Sequence, residues 1–419
     1  MKKEKTFLDL FAGAGELSEG FIQSGFEPIA HIESDQAACF TLRTRMAYHW
    51  LKAHGRIELY RDYLNGNIKR SKFYDYVPRQ IIDSVINAEI GMLTLPDIFQ
   101  QIDEKLKGRK LDLIVGGPPC QAYSLVGRSR DLNGMKGDKR NYLYLYYAEF
   151  LKRYKPSYFV FENVTGLLSA RDSDGNLYFD AMRDLFYECG YETEYKTLYA
   201  ENYGVLQNRK RIILVGRRGK TTGFYPEPDM WNPGVKVREV FHDLPAIGAG
   251  EGFTGPCHLK TYRGTWLIDA GIRNEELPVT WHQSRTNNEQ DLEIYRIVVN
   301  LWNREKVRLN YNTLPDRLKT HRNRDSFVDR FKVVASDIAY SHTVVAHIAK
   351  DGHYYIHPDI KQNRSITPRE AARLQTFPDD YYFESSNGIP RRTPAFRQIG
   401  NAVPVLMARK IAEKLKEVW

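Results

Sequence analysis

The chain has little cysteine. Its 419 residues include only Cys39, Cys120, Cys189 and Cys257, spaced 81, 69 and 68 residues apart, too few and too scattered for a disulfide framework or a zinc knuckle. Long apolar runs are missing as well, and nothing approaches the ~18 consecutive apolar residues of a membrane-spanning helix. Met1–Lys5 carries an acid and leads straight into a strand-like run, so no secretory leader is expected. Internal repeats and low-complexity tracts are absent. These absences predict a cytoplasmic chain with reduced thiols, no membrane association and no metal. At ~150 residues per domain, two or three domains are expected.

What is present is aromatic and basic. Tyrosine (27) outnumbers phenylalanine (20), and 61 Lys+Arg against 52 Asp+Glu leave a net charge of +9. The excess is uneven: residues 303–332 hold nine Lys/Arg against four acids, and residues 207–220 hold six with no acid. Either run alone reads as a solvated face; beside nucleic-acid chemistry it reads as a phosphate-binding surface.

Up to about residue 215 short apolar runs alternate with helical patterns. The runs are Phe7–Phe11, Ile29–Ile32, Leu111–Val115, Tyr158–Phe161 and Ile212–Val215, continuous as in strands buried on both faces. Between two of them Leu143, Tyr147, Phe150, Leu151 and Tyr154 form a helical stripe that stops before Pro156. This alternation predicts a parallel α/β sheet with right-handed crossovers. From Arg217 to Asn363 the pattern breaks up without a strong period, predicting a loop-rich second domain. Order returns at Thr367-Pro368-Arg369-Glu370, which reads as an N-cap, a first-turn proline and a capping-box glutamate. Pro404 opens a last helix with Met407, Ile411, Leu415 and Val418 on one face, expected to pack back on the first domain. The expected organisation is therefore 1–216 as the catalytic and cofactor-binding domain, 217–363 as a second domain, and 364–419 returning to the first.

Chemistry gathers at strand ends. After the first run, Phe11-Ala12-Gly13-Ala14-Gly15 makes a glycine turn into a helix, and Glu33 follows Gly13 by twenty residues, a spacing suited to a ribose. The third glycine of a dinucleotide cradle is missing, which points to a nucleoside cofactor without phosphates and away from a dehydrogenase. Leu113-Ile114-Val115-Gly116-Gly117-Pro118-Pro119-Cys120-Gln121 places a thiol just past a buried strand, followed by residues 126–140 with three glycines and five Lys/Arg. A partly exposed thiol in such a positive field is a thiolate candidate. Glu162, at the end of Tyr158–Phe161, is a candidate general acid. Gln207-Asn208-Arg209-Lys210-Arg211 supplies guanidinium forks for a carbonyl oxygen or a phosphate.

Taken together, and in this order, these segments resemble the cytosine carbon-5 DNA methyltransferases. The resemblance extends over Arg364–Glu370, Leu374-Gln375-Thr376-Phe377-Pro378 and Gln398-Ile399-Gly400-Asn401-Ala402-Val403-Pro404, covering about 60% of the chain. It implies a Rossmann-like methyltransferase sheet with a smaller target-recognition domain at 217–363. It implies S-adenosylmethionine as cofactor, held by Asp9, Phe11, Gly13, Gly15, Glu33, Glu89, Pro118, Asn401 and Ala402, with Phe11 on adenine and Glu33 on the ribose. It further implies Cys120 as nucleophile, Glu162 and Arg211 as pyrimidine ligands, and Gln121, Ser124 and Arg209 as further substrate contacts. The chain departs from the family pattern at Glu16, where a small residue often follows Gly15, and at Ser34, Glu89 and Leu206.

On this reading double-stranded DNA is the partner, the enzyme acts as a monomer, and a cognate restriction endonuclease is a possible companion without stable complex. The competing enzyme reading is an RNA cytosine carbon-5 methyltransferase. The competing non-enzyme reading is a catalytically silent DNA-binding relative, against which the intact Cys120, Glu162 and Arg211 count.

Overall fold

A computed structural model describes residues 4–119, 142–219, 221–273, 277–325 and 327–419. Cys120, Gln121 and Ser124 lie outside the described residues. Seven strands form one sheet: β1 (Lys5–Leu10), β2 (Phe26–Glu33), β3 (Val85–Asn87), β4 (Leu113–Gly116), β5 (Tyr158–Asn163), β6 (Tyr191–Tyr199) and β7 (Lys210–Arg218), in the order β3-β2-β1-β4-β5-β7-β6. The first five run parallel, and β7 runs antiparallel between β5 and β6. All five apolar runs are strands of this sheet. The parallel expectation holds for four of them; Ile212–Val215 lies in the reversed strand β7, because burial on both faces reports a central position and not a direction.

Successive side chains of the inner strands enter opposite cores. Phe7, Leu113, Val115, Val160, Ile213 and Val215 face one side. Leu8, Leu10, Ile114, Phe159, Phe161 and Leu214 face the other, where the helix Leu143–Tyr154 adds Tyr147, Phe150 and Leu151. The first side is covered by α1 (Glu16–Gln23) and by the C-terminal helix α10 (Val405–Val418). These two helices touch so closely that a Cβ on Gly20 would sit 2.5 Å from the Arg409 backbone nitrogen. Met407, Ile411 and Leu415 are buried there, as the C-terminal pattern predicted.

Residues 217–363 do not share one core. Val237, Val240, Trp266, Leu267, Trp281, Val334, Val344 and Ile348 pack into the sheet's own core. A separate small core forms around the helix α7 (Glu289–Glu305), from Ile294, Tyr295, Val298 and Val299 against Leu309, Tyr311, Leu318, Phe331 and Ile356. This 17-residue helix is a regular element where no strong period was read, since its apolar positions are interrupted by charged ones. Asn288 caps it, its side chain accepting from the Asp291 amide at 2.7 Å.

The segment 363–385 is buried except at half-buried Tyr382. Thr367 and Glu370 form the expected capping box at α8 (Pro368–Leu374). The same Glu370 carboxylate takes two hydrogen bonds from Arg364, at 2.8 and 2.7 Å. That guanidinium holds the carboxyl far below the usual carboxylate range despite complete burial. Among the described residues no helix is long and apolar enough to cross a membrane.

Candidate active site

The carboxyl ends of β1, β2, β4 and β5 lie side by side, with Leu10 paired to Gly116, Gly116 to Phe161 and Glu33 to Asn87. In an open α/β sheet this edge is where ligands bind. The reversed strand β7 begins at the same edge, with Ile212 opposite Asn163. Its direction is what carries Arg211 to Glu162: Arg211 Nε lies 2.6 Å from Glu162 Oε1, both side chains 13% exposed. A parallel strand would have started at the far side of the sheet.

Between β1 and α1 the chain makes the turn the glycines imply. Gly13 and Gly15 have φ of 55° and 88°, and Phe11, which has a side chain, is also left-handed at 58°. Such a residue carries local strain of about 1–2 kcal/mol, and strain of this kind collects at ligand sites. Glu33 accepts the Gly13 amide at 2.8 Å, and the Ser34 and Asp35 amides at 2.8 and 2.7 Å, so one carboxylate fixes both turns. Burial pushes its carboxyl up from the ordinary range.

A single cavity of about 570 Å³ runs along this edge, within the ~300–1,000 Å³ of small-ligand sites. Asp9, Phe11, Gly13, Glu33, Glu89, Pro118, Glu162, Arg211 and Asn401 all line it. Residues expected on both the cofactor side and the pyrimidine side are thus brought to one space. Gly15 and Ala402 lie behind it. A Cβ on Gly15 would meet Leu42 and Tyr381, and Ala402 is fully buried with its carbonyl 3.2 Å from Gln375 Nε2.

Arg209 also takes another place than the substrate contact expected of it. It is 1% exposed and donates to the carbonyls of Val344 (2.6 Å) and Asn401 (3.3 Å). Gln207 makes similar ties to Leu374 and to the Val344 amide. The Gln-x-Arg-x-Arg run therefore anchors the C-terminal segment with its first two polar residues and presents only Arg211 to the cavity.

The approach to Cys120 is held from β5. Asn163 Nδ2 donates to the Pro118 carbonyl at 3.3 Å. Gly117 is required by contact, since a Cβ there would lie 2.4 Å from Glu162 Oε2. Gly117→Ala should displace that carboxylate and lower methyl transfer about a hundredfold, the cost of misplacing a reacting group by about 1 Å. Its unfolding temperature should stay near wild type; a transfer assay beside thermal unfolding measures both.

Several lining residues carry no motif of their own. Glu16, Leu143, Ser386, Pro394 and Arg397 face the cavity, beside Gln398 of the C-terminal motif. Arg397 could be found only from its place one turn before Asn401 on the helix Arg392–Asn401. Glu16 is buried, its carboxyl raised to about 8 by desolvation, and Asp9 beside it is raised to about 7 for the same reason.

Comparison with known proteins agrees with this geometry. The family described as C-5 cytosine-specific DNA methylase matches residues 5–62 and 87–417. The chain is 40% identical to type II methyltransferase M.Bpa9945I of Bacillus paralicheniformis over 98% of both chains. It is 27% identical to type II methyltransferase M1.HphI of Haemophilus parahaemolyticus, covering 97% of this chain and 86% of that one. Among solved structures, a prophage-encoded protein of E. coli described as a DNA modification methyltransferase superposes with a TM-score of 0.62 at 20% identity, covering 99% of each chain. The sheet is thus that of the S-adenosylmethionine-dependent methyltransferases, and the chain belongs to the family of C-5 cytosine-specific DNA methylases.

Proposed function

We propose that this protein transfers the methyl group of S-adenosylmethionine to carbon 5 of a flipped-out cytosine in a specific duplex DNA sequence, through a covalent adduct with Cys120. The observation that carries the reading is the Glu162–Arg211 pair standing in the same cavity as the Phe11–Gly13 turn. Residues of that cavity suit the donor: an aromatic ring at Phe11, a half-buried carboxylate at Glu33, and buried carboxylate oxygens on Asp9 and Glu16 that make no hydrogen bond among the described residues. When bound, S-adenosylmethionine supplies an electrophilic methyl group.

The chain supplies the rest. Carbon 5 of cytosine is a weak nucleophile, so the Cys120 thiolate adds at carbon 6 and makes the ring enamine-like. Glu162 takes up a proton from water as the base enters and donates it to ring nitrogen 3 as charge develops there, while Arg211 turns to the exocyclic oxygen. Their ion pair holds both side chains in place before the base arrives. After methylation a base removes the proton from carbon 5, and the thiolate leaves. A stacked base cannot be attacked this way, so the cytosine is flipped out at a cost of a few kcal/mol.

Residues 217–363 supply target recognition on this reading, with α7 and the basic run 303–332 as the part that reaches beyond the sheet's core. Duplex reading needs groove-filling surface, which favours DNA over RNA. The type II names of the relatives favour a modification enzyme that protects host DNA from a cognate restriction endonuclease, without a stable complex between the two. A monomer acting in the cytoplasm suffices, because one flipped base needs one active site. Bisulfite sequencing of DNA from a methylation-free bacterial host expressing the chain tests the reading: protected cytosines should fall in one short context. Full conversion everywhere, with folded and cofactor-binding protein, would move the assignment to RNA or to a silent relative.

A further inference from the structure

The carboxylates of the cavity are not equivalent. Glu33 spends its oxygens on three backbone amides, and Glu162 is paired with Arg211. Glu16 Oε2 and Asp9 Oδ1, in side chains 8% and 0% exposed, have no hydrogen-bond partner among the described residues, although Asp9 Oδ2 accepts from Ser18 at 2.6 Å. Glu16 is the first residue of α1, and a Cβ on Gly13 would lie 3.2 Å from its Oε1, so the carboxylate leans over the glycine turn. Its field reaches Glu33 on one side and Glu162 on the other. It lines the same cavity as Glu33, assigned to the ribose, and Glu162, assigned to the pyrimidine. The group that must lie between ribose and pyrimidine is the one transferred.

We propose that Glu16 is a positioning residue that faces the sulfonium centre of the methyl donor and makes this site prefer the cationic donor to its neutral thioether product. The proposal rests on the cofactor assignment above. Its basis is charge: among the described residues, two buried carboxylate oxygens without partners face a cavity whose lining cations are Arg211, already paired, and Arg397, which is exposed. A carboxylate brought out of water without a partner is costly, and a cation placed beside it removes the cost. S-Adenosylmethionine carries that cation. S-Adenosylhomocysteine does not, and so leaves the carboxylate uncompensated and easier to keep protonated.

The groups facing Glu16 are Asp9 of β1, Glu33 of β2, Glu162 of β5 with its partner Arg211 of β7, and the hydroxyl of Tyr381, which donates to the Ala14 carbonyl. Burial first, then Asp9, Glu162 and Glu33, oppose ionisation of Glu16, which is raised to about 8. In the empty site Glu16 is neutral below that value. A cation lowers it, so binding the donor releases a proton that binding the product does not. The preference for donor over product then grows as pH rises from 6.5 to 9.

Calorimetric titration of the full chain with S-adenosylmethionine, sinefungin (an amine in place of the sulfonium) and S-adenosylhomocysteine tests this, at pH 6.5 and 9, for wild type, Glu16→Gln and Glu16→Gly. Wild type should favour the two cationic ligands at pH 9, and both variants should reduce that preference about tenfold, the equivalent of one pKa unit of coupling. Affinity for the thioether should change little. Equal weakening of all three ligands would place Glu16 at the amino group they share, equal tightening would make it a repulsive group against their carboxylate, and no change would remove it from the site; each overturns the proposal. Failure of wild type to bind any of them would overturn the cofactor assignment instead. Folding is checked on the unliganded protein. A carboxyl raised from 4.5 to about 8 loses stability for the fold as pH rises through that interval, so Glu16→Gln should unfold at a higher temperature than wild type at pH 9.

Discussion

Cys120→Ala should abolish methyl transfer, by at least about four orders of magnitude, while S-adenosylmethionine still binds. The asymmetry follows from position. The described cofactor side of the cavity is built from β1, β2 and the helix Arg392–Asn401, whereas Cys120 follows β4 in the sequence and, on the proposed mechanism, acts on the pyrimidine. Without a thiolate there is no adduct at carbon 6, and the Glu162–Arg211 pair has little developing charge to stabilise. DNA carrying 5-fluorocytosine at the target offers the complementary result. Wild type should form a covalent complex stable on a denaturing gel, because fluorine cannot depart from carbon 5 as a proton does, and Cys120→Ala should form none. Turnover by the alanine variant, or active wild-type enzyme with no trapped complex, would end the nucleophile assignment.

The largest expected effect on stability is at Arg373. Its guanidinium is fully buried and donates to Asp379 at 2.7 and 2.9 Å, to Asp243 at 2.5 and 3.1 Å and to the Val240 carbonyl at 3.0 Å. Arg373→Met removes one charge and leaves Asp379 with only Arg369, at 3.9 Å, while Asp243 keeps its ion pair with Arg273. Breaking a buried pair from one side costs about 3–5 kcal/mol, because a remaining ion has lost its compensation. For a chain of this length that corresponds to a fall of roughly 3–6 °C in Tm. Adding Asp379→Asn to the same chain should recover part of the loss, since a neutral side chain tolerates burial better. Thermal unfolding of the three chains at one pH measures both steps. A single variant as stable as wild type would show that the network contributes nothing.

These arginines also mark where sequence reading reaches its limit. The strands at Phe7, Leu113 and Tyr158 are legible because burial on both faces leaves unbroken apolar runs, and the capping box at Thr367 because its spacing is local. Arg364, Arg369 and Arg373 look like solvent-facing charges on a helix, yet all three are fully buried. Their carboxylate partners lie up to 130 residues away, and no local pattern encodes such a pairing. The direction of β7 is hidden for a similar reason, since an apolar run is the same read either way. At the site, Glu162 and Arg211 are legible as chemistry at strand ends. Arg209 looks equivalent to Arg211, since residues two apart share a face of a strand, and only the fold separates them: Arg209 precedes the first residue of β7 and is held by the Val344 and Asn401 carbonyls. Glu16 stood out as a departure from a pattern, but its burial and missing partner belong to the folded chain.

The cavity's walls come from both ends of the polypeptide. Phe11 and Gly13 supply one side and Asn401 another, and Tyr381 and Arg409 lock the later segment onto α1. During synthesis the glycine turn is made early, but the wall that closes it leaves the ribosome only after some 400 residues have been polymerised. At about 5–20 residues per second that is a delay of tens of seconds or more. A nascent or prematurely terminated chain thus lacks a wall of its methyl-donor site even when its sheet is in place. The capacity to bind the donor would then track completed chains rather than initiated ones.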